Sequence, residues 1–327
     1  MPEIHYRPLG KSGLIVSTVG LGCNNFGRQK TATETQAGTD AVIHAALDAG
    51  VTLFDGADIY GATRGLSETL MGNSLRGRRN DIVLATKFGM DMAGLNGPDW
   101  GVRGSRRYIR LAVESSLRRL QTDWIDIYQL HQPDAVTPIE ETLAALDDLI
   151  AEGKIRYIGH SNLAGWQIAQ AEYVAELHGH PKFISAQDEY SLLARGVEKE
   201  ILPAVNEFGL GFLPYFPLAN GLLTGKFTRA GGPKNSRIMH TRPQLLESAP
   251  WEALEVYAGF CNERGIDMLT ATFAWLLAQP GLTSVIAGVT TPGQIEQNIR
   301  ASHAWQPTAA ELTEINEIFA PVRHSGS

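Results

Sequence analysis

The sequence predicts an α/β fold, a single (β/α)8 TIM barrel, and three observations carry that reading. Short β-prone runs alternate with amphipathic helical stretches along nearly the whole chain. The runs number eight: "STVGLG", "TLFDGA", "IVLATK", "IDIYQLH", "IRYIGHS", "FISAQ", "LGFLPY" and "TSVIAG". Eight β-then-α units in series give a parallel sheet that closes on itself. A doubly wound open sheet is the rival, and it declares itself by G-x-G-x-x-G after the first strand. Here that place reads "GLGCNNFG", with no third glycine at the required spacing and no helix behind it.

Element by element, "YRPLGKSGLIVS" reads as a β-hairpin ahead of the barrel, turning at Gly10 to Gly13. "SRRYIRLAVESSLRRLQ" places Ile109, Val113, Leu117 and Leu120 on one helical face. "TPIEETLAALDDLIAEGK" opens with Thr137 as the expected N-cap and Pro138 in the first turn, and stops at Gly153. Segments 89–104 and 216–250 are too long for plain connections and read as functional loops at the C-terminal face, with extra helices beyond the eight units. No repeat, low-complexity run or linker divides residues 1–327, so one domain is expected.

Composition narrows the function. The chain has 327 residues with 43% hydrophobic residues, enough for a large core. No apolar run reaches the ~18–20 residues that span a bilayer, and the N-terminus lacks a signal-peptide profile. Two distant cysteines form no disulfide framework and fit a reducing, cytoplasmic setting. A net charge of −7 argues against nucleic acid or an anionic membrane as partner. The nine histidines show no metal-ligand spacing, so no metal is implied.

Catalytic groups of a barrel belong at the C-terminal ends of strands. Asp55, Tyr60, Lys87 and His131 fall there, at the ends of the second, third and fourth strands or just beyond. Alternation puts Leu53, Asp55 and Ala57 on one face, Val83, Ala85 and Lys87 on another, and Ile127, Gln129 and His131 on a third. If those faces point inward, the four groups meet at one mouth. A phenol titrates near pH ~10 and is a poor acid at neutrality. A lysine ammonium lowers that value, and a carboxylate keeps the buried lysine charged. A histidine can donate a hydrogen bond to a substrate oxygen. Such a set suits proton delivery to an oxygen that becomes negative, as in carbonyl reduction. Any one of the four read alone is ordinary structure; their recurrence at consecutive strand ends is the signal.

Beyond this point the chain resembles the aldo-keto reductase family, as a bacterial member similar to the branch that includes potassium-channel β subunits. The motifs "LFDGADIYG", "LATKFG", "SLRRLQTDWIDIYQLH", "IRYIGHSN", "AQDEYSLL" and "GLLTGKF" stand in the family's order. The resemblance implies a barrel that uses a nicotinamide cofactor, usually NADP(H), to interconvert aldehydes or ketones and alcohols. It makes Asp55, Tyr60, Lys87 and His131 the catalytic tetrad, with Tyr60 the proton donor. It assigns Ser161, Asn162 and Gln187 to the nicotinamide carboxamide and Tyr215 to the nicotinamide ring. Phe216, Pro217, Leu218 and Asn220 would wrap the pyrophosphate, with Lys226 and Arg237 supplying positive charge. Gly288, Thr290, Gln294, Gln297 and Asn298 would hold the adenosine end. Gly22, Cys23, Asn24 and Asp55 complete the cofactor set, and Asn25, Tyr60, Phe88, Trp100 and His131 the substrate pocket.

Some positions depart from the family pattern. Gly56 and Phe216 stand where threonine and serine are commoner. Many NADP-specific members carry a lysine and an arginine near Gly288 and Gln294, where this chain is uncharged. NADP(H) is therefore the expectation with NAD(H) left open. Cys23 reads either as a reactive thiol or as a small wall residue, and the wall is the plainer reading. Met90 and Trp100 read equally as a roof over the substrate or as a surface lid. An alternative function from another class is a cofactor-binding redox-sensing or regulatory subunit with slow turnover. The nearness of the hairpin to residue 1 favours the free-standing enzyme over it. A phosphate-sugar barrel enzyme is a weak third, having no use for the Asp–Tyr–Lys–His set.

Overall fold

A computed structural model describes residues 4–233, 236, 238, 239 and 242–320. Strands β1 (Tyr6–Pro8) and β2 (Ile15–Ser17) pair antiparallel as the expected hairpin. Eight parallel strands follow: β3 (Val19–Gly22), β4 (Leu53–Asp55), β5 (Val83–Phe88), β6 (Ile125–Leu130), β7 (Ile155–Ser161), β8 (Ser185–Gln187), β9 (Gly211–Phe212) and β10 (Val285–Gly288). Their spatial order is β10-β3-β4-β5-β6-β7-β8-β9. The ring closes where Phe212 bridges Leu282 in parallel, with Phe212 N donating to Gly281 O (2.8 Å) and Thr283 N to Phe212 O (3.0 Å). Each predicted run overlaps its strand: β7 matches its run, β5 extends one residue beyond its run to Phe88, and the other six strands lie within theirs.

Among the described residues the α-helices include α1 (Gln36–Asp48), α2 (Leu66–Ser74), α3 (Arg106–Leu120), α4 (Ile139–Ala151), α5 (Gly165–His178), α6 (Ile201–Phe208), α7 (Gln244–Glu247), α8 (Trp251–Glu263), α9 (Met268–Leu277), α10 (Pro292–Ala301) and α11 (Ala309–Ile318). Helix α3 buries the expected face of Ile109, Val113, Leu117 and Leu120, and Ser105 caps it, its Oγ accepting from Tyr108 N. Helix α4 differs from expectation. Its N-cap position is Pro138, because the Thr137 hydroxyl instead donates to Asp134 Oδ2 at 2.8 Å.

The core has two parts. Outward-facing strand residues such as Leu21, Phe54, Leu84, Tyr128, Ile158 and Phe212 pack against the helices. Inside the barrel a small apolar layer joins Leu53, Ala85, Ile127, Leu213 and Ile286 to Leu9 and Val16 of the hairpin. The hairpin therefore plugs the N-terminal end. Its turn seats against β9 through Lys11 N, which donates to Gly209 O at 2.8 Å. Gly10 permits that contact: its φ is +58°, and a Cβ there would lie 2.5 Å from Gly209 O and Gly211 N. Among the described residues no helix is long and apolar enough to cross a membrane.

Candidate active site

One strand step above the apolar layer, the inward residues turn polar. Register aligns Gly22 with Asp55, Lys87 with Gln129, Gln129 with Gly159, and Gly159 with Ser185. Gly159 makes room in this ring, since a Cβ on it would stand 2.3 Å from Ser185 Oγ and 3.1 Å from Gln129 Cγ. Asp55 Oδ1 is the hub. It accepts from Lys87 Nζ (2.7 Å), Gln187 Nε2 (2.9 Å) and Gln129 Nε2 (3.3 Å). Lys87 Nζ also donates to Gly56 O at 2.8 Å, and its side chain is wholly buried.

Burial alone would strip the proton from Lys87. The Asp55 carboxylate and the Tyr60 phenol outweigh it together, and the pKa lies above the ordinary lysine value. Tyr60 stands in the loop after β4, with Lys87 Nζ 5.2 Å from its ring centroid. The balance on the phenol differs from the sequence expectation. Burial pushes its pKa up, Lys87 pulls it down, Asp55 pushes it up again, and the result is above the usual tyrosine value. The phenol thus holds its proton at neutral pH, the state that a proton donor needs. His131, just past β6, meets Tyr60 edge-on with ring centroids 5.9 Å apart. Burial, aided by the Lys87 charge, lowers its pKa to about 3, so the imidazole is neutral. Its Nδ1 has no hydrogen-bond partner. The sequence-predicted quartet is therefore brought together at one mouth.

That mouth opens into a cleft of about 1200 Å³, somewhat larger than the usual small-ligand site. Its lining includes Gly22, Asn24, Asn25, Asp55, Tyr60, His131, Ser161, Asn162 and Gln187 from the strand ends. It continues along Tyr215, Phe216, Pro217, Leu218, Asn220 and Lys226, then Gly288, Thr290, Gln294, Gln297 and Asn298. The loop after β9 bends sharply, with Phe216, Ala219 and Asn220 all at positive φ. Asn162, also at positive φ, ties the nicotinamide-side candidates together. Its Nδ2 donates to His131 O (2.9 Å) and its Oδ1 accepts from Tyr215 OH (2.9 Å). Ser161 Oγ donates to Gln187 O at 2.7 Å. Gln294 Oε1 accepts from Thr290 N (2.7 Å) and Thr291 N (3.2 Å), fixing the start of α10. Several polar atoms of this lining are buried yet unpartnered: Arg28 Nη1, His131 Nδ1, Asn220 Oδ1 and Ser236 Oγ. Unpaired buried polar groups spread along an elongated cleft fit a polar ligand the size of a dinucleotide.

Three expected contacts fail, each for a packing reason. Cys23 is fully buried in the outer core with Sγ directed at Leu21 O (3.4 Å), and burial raises its thiol pKa well above the ordinary value. It is an inert wall residue. Phe88 points outward and stacks on Tyr128, centroids 4.7 Å apart, so it belongs to the core and not to the substrate pocket. Trp100 is 73% exposed and lies under the Arg107 guanidinium (4.4 Å), away from the cleft, whereas Met90 lines it. Arg237 lies outside the described residues. Sequence reasoning missed Gln129 as a partner of Asp55, although it shares the inward face with Ile127 and His131. It also missed Arg28 and Arg300 in the lining, which lone basic residues in a loop and on a helix do not announce. Among the described residues no cluster of His, Cys, Asp or Glu is placed to hold a metal.

A closed (β/α)8 barrel whose polar mouth pairs a buried Asp–Lys with a phenol and an imidazole defines a class, the barrel oxidoreductases that act on carbonyls. The chain belongs to the Aldo/keto reductase family, whose sequence profile matches residues 18–320. It is 38% identical over 308 residues to the uncharacterized oxidoreductase YrpG of Bacillus subtilis, covering 91% of each chain. It is 36% identical to a probable voltage-gated potassium channel subunit beta of Oryza sativa, again over 91% of each. L-glyceraldehyde 3-phosphate reductase of Escherichia coli K12 is 33% identical over 97% of this chain and 93% of its own. The protein is an NAD(P)H-dependent oxidoreductase.

Proposed function

We propose that this chain reduces small aldehydes and ketones to alcohols, reversibly, with NADP(H) and with Tyr60 as the proton donor. The observation that carries the reading is the buried Asp55–Lys87 pair (2.7 Å) set against a phenol that keeps its proton. When bound, the nicotinamide cofactor supplies a hydride; the chain supplies the rest. Ser161, Asn162 and Gln187 would orient the carboxamide, and Tyr215 would lie against the ring. A substrate oxygen entering between Tyr60 and His131 meets two donors, the phenol O–H and a neutral imidazole N–H. As negative charge grows on that oxygen, the phenol proton moves to it. The phenolate left behind is held by Lys87, whose own charge Asp55 maintains.

NADP(H) is favoured over NAD(H) by a basic residue at the adenosine end of the cleft. Arg300 lines the cleft and follows Gln294 and Gln297 along α10. It offers positive charge to the extra phosphate that distinguishes NADP(H), whereas Lys226 would serve the pyrophosphate that both coenzymes share. Reduction of one aldehyde with NADPH and with NADH is the test: kcat/KM higher with NADPH is expected, and a clear NADH preference overturns the coenzyme assignment. The kinship with channel subunits supports a slower, cofactor-sensing role as second reading. The same assay separates the two, since turnover no faster than background across an aldehyde panel leaves only the binding role.

A further inference from the structure

We infer that the substrate this site selects is an anionic carbonyl compound, bearing a carboxylate or phosphate that Arg28 and Arg242 grip beside Tyr60. The inference rests on the reading above and names the substrate class within it. The chain as a whole is acidic, at −7, yet this part of the cleft is not. Arg28 follows the helical turn Cys23–Asn25 and lines the same cleft as Tyr60 and His131. Its Nη2 donates to the backbone oxygen of Asn24 at 3.1 Å, while its Nη1 is buried with no partner at all. Among the described residues no carboxylate lies within ion-pair reach of Arg28 or of Arg242. Arg242 lies over the Phe216 ring at 5.4 Å, and Phe216 meets Tyr215 edge-on at 5.3 Å, so this second guanidinium sits above the cleft wall.

The electrostatics agree with that placement. Burial lowers the Arg28 pKa, the Arg242 charge lowers it further, and the Tyr60 phenol works the other way. The charge of Arg242 therefore acts on Arg28, in line with its place over Phe216 at the wall of the same cleft. A half-buried guanidinium with one unpartnered buried nitrogen, a second guanidinium at the cleft wall and no ion-paired acid among the described residues are together relieved by a bound anion. Guanidinium geometry matches both carboxylate and phosphate in forked fashion. Lys226, another cation of the cleft lining, belongs to a different stretch. It packs over Phe227 (5.5 Å), beyond the bend at 219–224, where the proposed cofactor pyrophosphate would pass.

The experiment compares matched aldehydes: glyceraldehyde 3-phosphate against glyceraldehyde, and succinic semialdehyde against butanal. The wild type is expected to favour the anionic member of at least one pair by about tenfold or more in kcat/KM, and the pair affected tells phosphate from carboxylate. Arg28→Met should collapse that ratio toward one, and Arg28→Lys should restore part of it. The cofactor dissociation constant, read by fluorescence quenching, should stay within about twofold, because the contact is to substrate. Equal kcat/KM within both wild-type pairs overturns the inference while leaving carbonyl reduction standing. Arg28→Met weakening the cofactor as much as the substrate also overturns it, since the guanidinium would then serve the cofactor. Should no aldehyde turn over, the proposed function fails first, and calorimetry with inorganic phosphate still decides the anion site. Binding that survives Lys226→Met and vanishes in Arg28→Met upholds the site; no binding to the wild type removes it.

Discussion

The two ends of the barrel are built from the same strands, two residues apart, and they obey opposite rules. At the N-terminal end Leu53, Ala85 and Ile127 meet Leu9 and Val16 in a buried apolar layer that the hairpin seals. At the C-terminal end the next inward residues are Asp55, Lys87 and Gln129, joined by hydrogen bonds into a charged hub. Burial stabilises the first layer and costs energy in the second, where two charges must leave water. What offsets that cost is mutual pairing, and what it yields is a lysine that stays charged beside a phenol. Stability sits at the bottom of the barrel and chemistry at the top, on a shared backbone.

Substitutions at each end sharpen or break that division. The largest effect is expected from Tyr60→Phe, which keeps the ring and removes the proton: turnover should fall about a thousandfold, within the usual range for a general acid. Cofactor fluorescence should still report binding, and retention of most activity would remove Tyr60 from the chemistry. Lys87→Met leaves Asp55 buried without its counter-charge, which should cost about 3–5 kcal/mol in urea unfolding. It should also abolish turnover, so an active and stable Lys87→Met protein would break the electrostatic account. Leu53→Ala, one step below Asp55, should cost about 3 kcal/mol while the folded fraction keeps its kcat. A loss of kcat in proportion to stability would show that the two ends are not separable.

The smallest effect concerns acid. His160 is fully buried beside Phe183 with neither ring nitrogen partnered, and burial lowers its pKa to about 3. An unfolded chain binds that proton near pH ~6.5, so the unfolded state holds more protons between the two values. Stability is therefore full above pH ~6.5 and falls as the pH drops toward 3, by about 2 kcal/mol at pH 5 for this one group. His160→Leu should flatten the decline between pH 7.5 and 5 by that amount in denaturant titrations. An unchanged slope would mean that other groups carry the acid sensitivity.

Much of this was legible in the chain. Alternation announced the inward faces, so Asp55, Lys87 and His131 were placed at one mouth before any strand was paired. The apolar face of α3 and the turn at Gly10 were equally local. What misled was always a contact with something remote. Phe88 follows Lys87 by one residue and so faces outward onto Tyr128, which proximity in sequence conceals. Trp100 sits in a long loop whose anchor is Asn96, held by Asp58 Oδ2 (3.0 Å) and Arg119 Nη1 (3.0 Å) from two other elements. Thr137 looked like a helix cap until Asp134 claimed its hydroxyl.

By itself the sequence determined the barrel, the order of its strands and the residue types at their tips, because side-chain direction along a strand repeats every two residues and needs no partner to be read. Only the closed tertiary structure decided the proton balance of Tyr60, the inert burial of Cys23 and the unpaired guanidinium of Arg28. Those depend on desolvation and on charges brought together from distant segments, and desolvation exists only once the chain has folded around them.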